Sequence, residues 1–84
     1  LHAPYPNPFN SSVGLSFNIF NPGRVTISIF NALGQKVATL LDDERQDIGV
    51  HLLRWSPGHL ASGVYYVVMR HEGSLQERRI VYLK

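Results

Sequence analysis

Apolar residues recur at every second position in this chain, and that period decides what it can fold into. In the run VGLSFNIF, Val13, Leu15, Phe17 and Ile19 fall on one face, and Gly14, Ser16 and Asn18 on the other. A helix would scatter such a set, whereas a strand with one buried face requires it. RVTISIFN repeats the pattern, with Val25, Ile27 and Ile29 on one side and Thr26, Ser28 and Phe30 on the other. β-Branched residues fill it, as strands prefer. Between the two runs, Pro22 presets φ and Gly23 admits positive φ, so they are expected to form a hairpin.

The rest of the chain continues in the same way. NALGQ is a turn with Gly34 as its left-handed residue, KVATLL a short third strand, and DDERQD a polar loop. IGVHLLRWS is a fourth strand with adjacent leucines, Leu52 and Leu53. The favoured register puts His51, Leu53 and Trp55 on one face, with Trp55 as a buried core anchor. PGHLASG is a turn region with room for one helical turn. VYYVVMR has the composition of a central strand buried on both faces. Gly73 bends the chain into LQERRIVYLK, the last strand. No stretch has a helical period. Short strands with turn signals roughly every 8–12 residues predict an all-β, antiparallel sandwich. With 84 residues there is room for one domain, an extended lead over 1–12 and a sandwich over 13–84.

The lead is the unusual part. Pro4, Pro6 and Pro8 alternate with Tyr5, Asn7 and Phe9. Each proline lacks a backbone donor and pushes the residue before it toward extended conformations, so neither a helix nor a central strand forms there. The two rings argue against a plain linker. Such a segment is expected to lie along an edge of the sandwich, its rings covering the end of the core.

The chemistry-bearing residues form no catalytic pattern. Hydrophobic residues make up 44% and charged residues 17%, a globular profile. Without cysteine, disulfides and thiolate metal sites are excluded. His2, His51, His59 and His71 share no metal-ligand spacing, and Asp42, Asp43, Glu44 and Asp47 lack the alternation of a calcium loop. No serine sits in a G-x-S-x-G elbow, and the glycines are spread along the chain rather than gathered into a phosphate cradle. The chain is read as a non-enzyme with no cofactor. Net charge is +2, and the one basic cluster, Arg78-Arg79 with Lys84, is too small for nucleic acid. No apolar run approaches the ~20 residues of a membrane span. The strand ERRIVYLK sets Arg79, Val81 and Leu83 on one face and Arg78, Ile80, Tyr82 and Lys84 on the other. It reads either as a charged edge or as a displayed recognition strand.

YPNPFN, NALGQKVATL, LASGVYYVVM and IVYLK, in this order, closely resemble the type A C-terminal sorting domain of the type IX secretion system, from Tyr5 to Lys84. GVHLLRWSPGHLASGVYY is similar to the family's Trp-containing strand, turn and Gly-x-Tyr strand. The resemblance implies an immunoglobulin-like sandwich of about seven strands. It also implies a domain recognised in the periplasm by the outer-membrane translocation machinery, which exports an attached N-terminal cargo. A sortase-like peptidase then removes the domain, and the cargo is secreted or held at the cell surface. The residues carried over are Pro6, Asn7, Pro8 and Phe9, Gly34, Gly63 and Tyr65, and Leu83 and Lys84, with Trp55 in the matching strand. Trp55-Ser56-Pro57-Gly58, where the family often has Trp-Asp-Gly, is similar to a turn variant.

On this reading Arg79, Leu83 and Lys84 contribute the recognition surface, and the PNPF lead pins the opposite end of the fold. The competing reading is a passive immunoglobulin-like spacer or a small carbohydrate-binding module, for which rings among Tyr65, Tyr66, Tyr82, Phe17, Phe30 and Trp55 would have to form an exposed row. Alternation separates Tyr65 from Tyr66, which favours core packing.

Overall fold

A computed structural model describes all 84 residues. The chain forms β1 (Val13–Ile19), β2 (Gly23–Asn31), β3 (Lys36–Gln46), β4 (Gly49–Trp55), β5 (Gly63–His71) and β6 (Ser74–Tyr82), with no helix. β1 and β4 pair antiparallel. The other four strands form a second antiparallel sheet in the order β3-β2-β5-β6. The two layers enclose one core, as the period of two requires. Val13, Leu15, Phe17 and Ile19 face it from one sheet, and Val25, Ile27, Ile29, Tyr65, Val67, Met69, Ile80 and Tyr82 from the other. Each fully buried aliphatic side chain stabilises by roughly 1.5–3 kcal/mol, so this set dominates the fold's stability.

β1 and β2 are not a hairpin. They lie in different sheets, and Phe20–Pro22 arches between the layers. Turn residues reverse a chain but do not choose its partner. Because both strands carry a fully apolar face, they satisfy it by facing each other across the core. Nor does Gly23 serve by positive φ. A Cβ there would come within 2.1 Å of the Glu72 carboxylate and 3.2 Å of the His71 ring, so the bare backbone makes room for these two side chains.

β3 is longer than expected, and DDERQ belongs to it rather than to a loop. The β2–β3 register shifts between Val25 and Ile27, and Asp43 takes φ 54°. Side chains fill the disturbed rungs: the Asp43 N–H donates to Thr26 Oγ1 (3.0 Å) and Arg24 Nη1 donates to the Asp43 carbonyl (2.7 Å). Apolar alternation is missing over Asp42–Arg45 because this edge is exposed on both faces, and its charges and bulges blunt it against further pairing.

β4 has the expected register. Trp55 is buried, and the His51 ring stacks on Phe17 at 5.2 Å and 15°, while Leu52 is 78% exposed. β5 is central, between β2 and β6, but only Tyr65, Val67 and Met69 are fully buried. Tyr66 and Val68 are half-buried on an outer face that no further layer covers, so burial on both faces is not realised. Pro57–Leu60 is a turn closed by a bond from the Leu60 N–H to the Pro57 carbonyl (3.3 Å), without a helical turn. At Gly34, φ is 82°, the left-handed conformation expected, and Asn31 Oδ1 accepts the N–H groups of Leu33 and Gln35 to hold that turn.

Candidate functional site

The proline-rich lead joins both sheets. Over its first residues it lies beside β1: the His2 N–H donates to the Ser16 carbonyl (2.9 Å), and Tyr5 and Gly14 exchange two backbone bonds (3.1 and 2.8 Å). This explains Gly14, a glycine in mid-strand, because a Cβ there would stand 3.2 Å from the Tyr5 carbonyl oxygen. The lead then crosses to β6 and runs parallel to it, through a bridge between Phe9 and Tyr82. It thus serves as a further edge element on each layer and closes one side of the sandwich.

Pro6 and Pro8 cannot donate to a ladder, and the residue between them supplies the rung by its side chain. Asn7 Nδ2 donates to the Arg79 carbonyl (2.9 Å), and Asn7 Oδ1 accepts the Val81 N–H (2.9 Å). Backbone rungs follow, from the Phe9 N–H to the Val81 carbonyl (3.0 Å) and from the Leu83 N–H to the Phe9 carbonyl (2.9 Å). The Phe9 ring enters the core, stacked on Tyr82 at 5.3 Å and tilted against Trp55 at 6.2 Å; Trp55 in turn meets the edge of Tyr65 at 5.7 Å. Only this one of the lead's two rings covers the core, since Tyr5 is 80% exposed.

The lead therefore does not pin the end opposite the last strand; it is bonded to that strand. Proline spacing marks a segment as edge-seeking, but it carries no information about which edge. The structure gathers Pro6, Asn7, Pro8, Phe9, Trp55, Gly63, Tyr65, Arg79, Leu83 and Lys84 at one end of the sandwich. The turn at Gly34 opens at the same end of the sheet, because Asn31 is paired with Tyr65. Two tyrosine hydroxyls tie down the nearby loop, Tyr65 to the Ala61 carbonyl (2.6 Å) and Tyr82 to the Gly58 carbonyl (3.3 Å). The Lys84 N–H donates to Ser62 Oγ (2.8 Å). Arg79 and Lys84 are exposed, and the ion pairs of the structure, Arg24–Asp43 and Arg45–Asp47, involve neither. Leu83 forms the wall of an open groove of about 440 Å³ with Pro6, Pro8, Phe9 and Asn10.

Sequence reasoning did not assign roles to Val81 and Ser62, nor the rung-forming role of Asn7. The signal for Asn7 was present: a carboxamide between two residues that cannot donate is the one group there able to act as both donor and acceptor.

The histidines have separate partners: His2 Nε2 lies 3.1 Å from Asn18 Oδ1, His51 Nε2 2.8 Å from the Asp47 carbonyl, and His71 Nε2 3.0 Å from the Asn21 carbonyl. No group of three His, Asp or Glu side chains stands close enough to hold a metal ion, and no buried side-chain polar atom lacks a partner. No helix is long and apolar enough to cross a membrane. What the geometry offers is a small all-β sandwich module with a strapped last strand and exposed residues after it. Residues 3–83 match the family model of the secretion system C-terminal sorting domain, and the chain belongs to that family. No curated protein and no solved structure matches it. The domain is thus a C-terminal sorting signal for type IX secretion, of a family that is non-catalytic in general. It engages the secretion machinery so that a cargo attached on its N-terminal side is exported to the cell surface or the extracellular space.

Proposed function

We propose that the secretion machinery reads the end of the sandwich where the lead is bonded to β6, and that Arg79, Leu83 and Lys84 make the contact. The observation that carries this is the double fixation after β6: the Leu83 N–H is bonded to Phe9 and the Lys84 N–H to Ser62. Residues held in place yet exposed have lost their conformational freedom before any partner arrives, which lowers the cost of recognition. Pro6, Asn7, Pro8 and Phe9 then act as a strap, Trp55, Tyr65 and Gly63 as its seat, and Gly34 shapes the neighbouring turn. The lead (1–12) and the sandwich (13–84) work as one unit. Recognition takes place in the periplasm in transit, at the outer-membrane translocation machinery, and a sortase-like peptidase removes the domain afterwards.

The test is a reporter carrying a periplasmic signal and these 84 residues at its C-terminus, expressed in a bacterium with type IX machinery. Reporter in the medium or on the cell surface, and its retention in the periplasm for a folded Leu83→Ala/Lys84→Ala variant, is the expected result. Unchanged export of that variant overturns the assignment of these residues.

A further inference from the structure

The rungs made by the lead reveal which backbone groups of β6 face outward. Arg79 and Val81 use their carbonyls, and Val81 and Leu83 their N–H groups, toward Asn7 and Phe9. Odd-numbered residues therefore point away from β5. The β5–β6 register runs without a shift from Gly63↔Tyr82 to His71↔Ser74, so Leu75 and Glu77 point outward too. The backbone of the lead does not pair with them, because upstream of Pro6 it lies along β1 and touches this half of β6 only where the Leu1 amino group donates to the Gln76 side chain. The N–H and carbonyl of Leu75 and the N–H groups of Glu77 and Arg79 are left without a partner. The Glu77 carbonyl is covered only by its own neighbour, Arg78 Nη1, at 3.0 Å. β6 is thus an edge strand paired over half its length, and the open half, Ser74–Arg79, is exposed throughout.

The charges beside this open half select the partner. Arg78 and Arg79 lie on it, while Arg70, opposite Leu75, lines a hollow over β2 with Thr26, Ser28 and Lys36. Of the two acids nearby, Glu77 lines a hollow on the outer face beside Phe30 and Tyr66, and the Glu72 carboxylate lies over Gly23. The other edge of the sheet, β3, is broken by register shifts. We propose that Leu75–Arg79 is a strand-addition site for an extended acidic segment of a partner protein, laid end to end with Asn7–Phe9. Backbone rungs at Leu75 and Glu77 hold it, Arg78 swings from the Glu77 carbonyl to the incoming carboxylates, and Arg79 flanks them. The inference deepens the recognition reading and rests on it only for the identity of the partner.

The probe is a short synthetic peptide of alternating Val and Asp, with a Lys-for-Asp peptide as control, added to the isotopically labelled 84-residue chain. The acidic peptide is expected to slow amide exchange of Leu75 and Glu77, both fast in the free protein. Leu75→Pro removes one outward donor and no β5–β6 rung and leaves the charge of the site unchanged, so it should weaken binding about tenfold, the loss of one well-formed hydrogen bond, with an unchanged melting temperature. Should the proline variant not fold, Arg78→Glu/Arg79→Glu gives the same weakening through charge. No binding at millimolar peptide, binding that leaves the Leu75 and Glu77 amides fast, or equal binding of the lysine peptide overturns the proposal. A domain that binds the peptide but does not export its reporter overturns the recognition reading and leaves the strand-addition site standing.

Discussion

Asn7 stands beside Val81 as a peptide group would, its carboxamide accepting the Val81 N–H and donating to the carbonyl two residues earlier, at Arg79. The alternation Pro6-Asn7-Pro8 is therefore a way of continuing a ladder where the backbone itself has no donors. Asn7→Ala removes both bonds. At about 1 kcal/mol per bond the loss is roughly 1–2 kcal/mol, and a domain of this size melts about 4–8 °C lower for each kcal/mol. Amide exchange at Val81 should quicken, while that at Ile80, which points toward β5, stays slow. Equal exchange rates at Val81 in the variant and the parent would show that the side chain is not a rung.

Phe9 and Tyr5 are the lead's two rings, and the structure separates them. Phe9 is 3% exposed among Trp55 and Tyr82, so Phe9→Ala should cost about 3–5 kcal/mol, a large part of the roughly 5–15 kcal/mol of a whole domain. Tyr5→Ala should stay within about 0.5 kcal/mol. Urea unfolding followed by Trp55 fluorescence gives both values. The emission of Trp55 should also shift to the red in the folded Phe9→Ala protein, because its shielding ring is gone.

What the sequence made legible was whatever a local period can carry. The strict alternation of β1, the choice of Leu53 over Leu52, the burial of Trp55 and the turns at Gly34 and Gly73 all follow from one strand and its own neighbours. Partner choice does not. The turn at 21–23 serves a hairpin and an arch between sheets equally, and only the two facing apolar surfaces of β1 and β2 decide between them. Asp42–Arg45 hid a strand because an edge exposed on both faces has no apolar alternation to show. At the end where the lead meets β6 the constituents were visible one by one. Their convergence was not, since it depends on a lead that changes sheet at Pro6 and on a side chain standing in for backbone.

Gly14 and Gly23 differ in what crowds them. A Cβ at Gly14 meets the Tyr5 carbonyl oxygen, a backbone atom held by two rungs, at 3.2 Å. At Gly23 it meets mainly the free end of the Glu72 side chain, which can swing aside. Gly14→Ala should therefore destabilise by about 1 kcal/mol or more and loosen the lead, and Gly23→Ala should cost less. Thermal melts order the two variants. The reverse order would mean that the lead yields more easily than a surface carboxylate.

The adjacent leucines of β4 give a test of register. Leu53 is half-buried toward the core, opposite Leu15, and Leu52 is 78% exposed, opposite Ser16. Leu53→Ser should cost roughly 1–2 kcal/mol from lost burial, and Leu52→Ser should stay within about 0.5 kcal/mol. If Leu52→Ser proved the more damaging, the strand would be turned over, since a slip of one residue exchanges its faces.

The turn joining β5 to β6 offers a gain instead of a loss. His71 and Ser74 are paired, so Glu72 and Gly73 form a two-residue connection, with φ of 52° and 76°. Positive φ at both positions is the type I′ turn, which suits the twist of a hairpin and favours Asn before Gly. Glu72 pays for this with its Cβ, a strain of about 1–2 kcal/mol in the left-handed region, whereas Asn tolerates that region through its short polar side chain. Glu72→Asn should therefore raise stability by about 0.5–1 kcal/mol and the melting temperature by a few degrees. It also removes the carboxylate that lies over Gly23, so Gly23→Ala should become cheaper in the Glu72→Asn background than in the parent. A double-mutant cycle of melting temperatures measures this coupling. Strict additivity would show that the carboxylate does not crowd Gly23 in solution, and the space argument for that glycine would then rest on His71 alone.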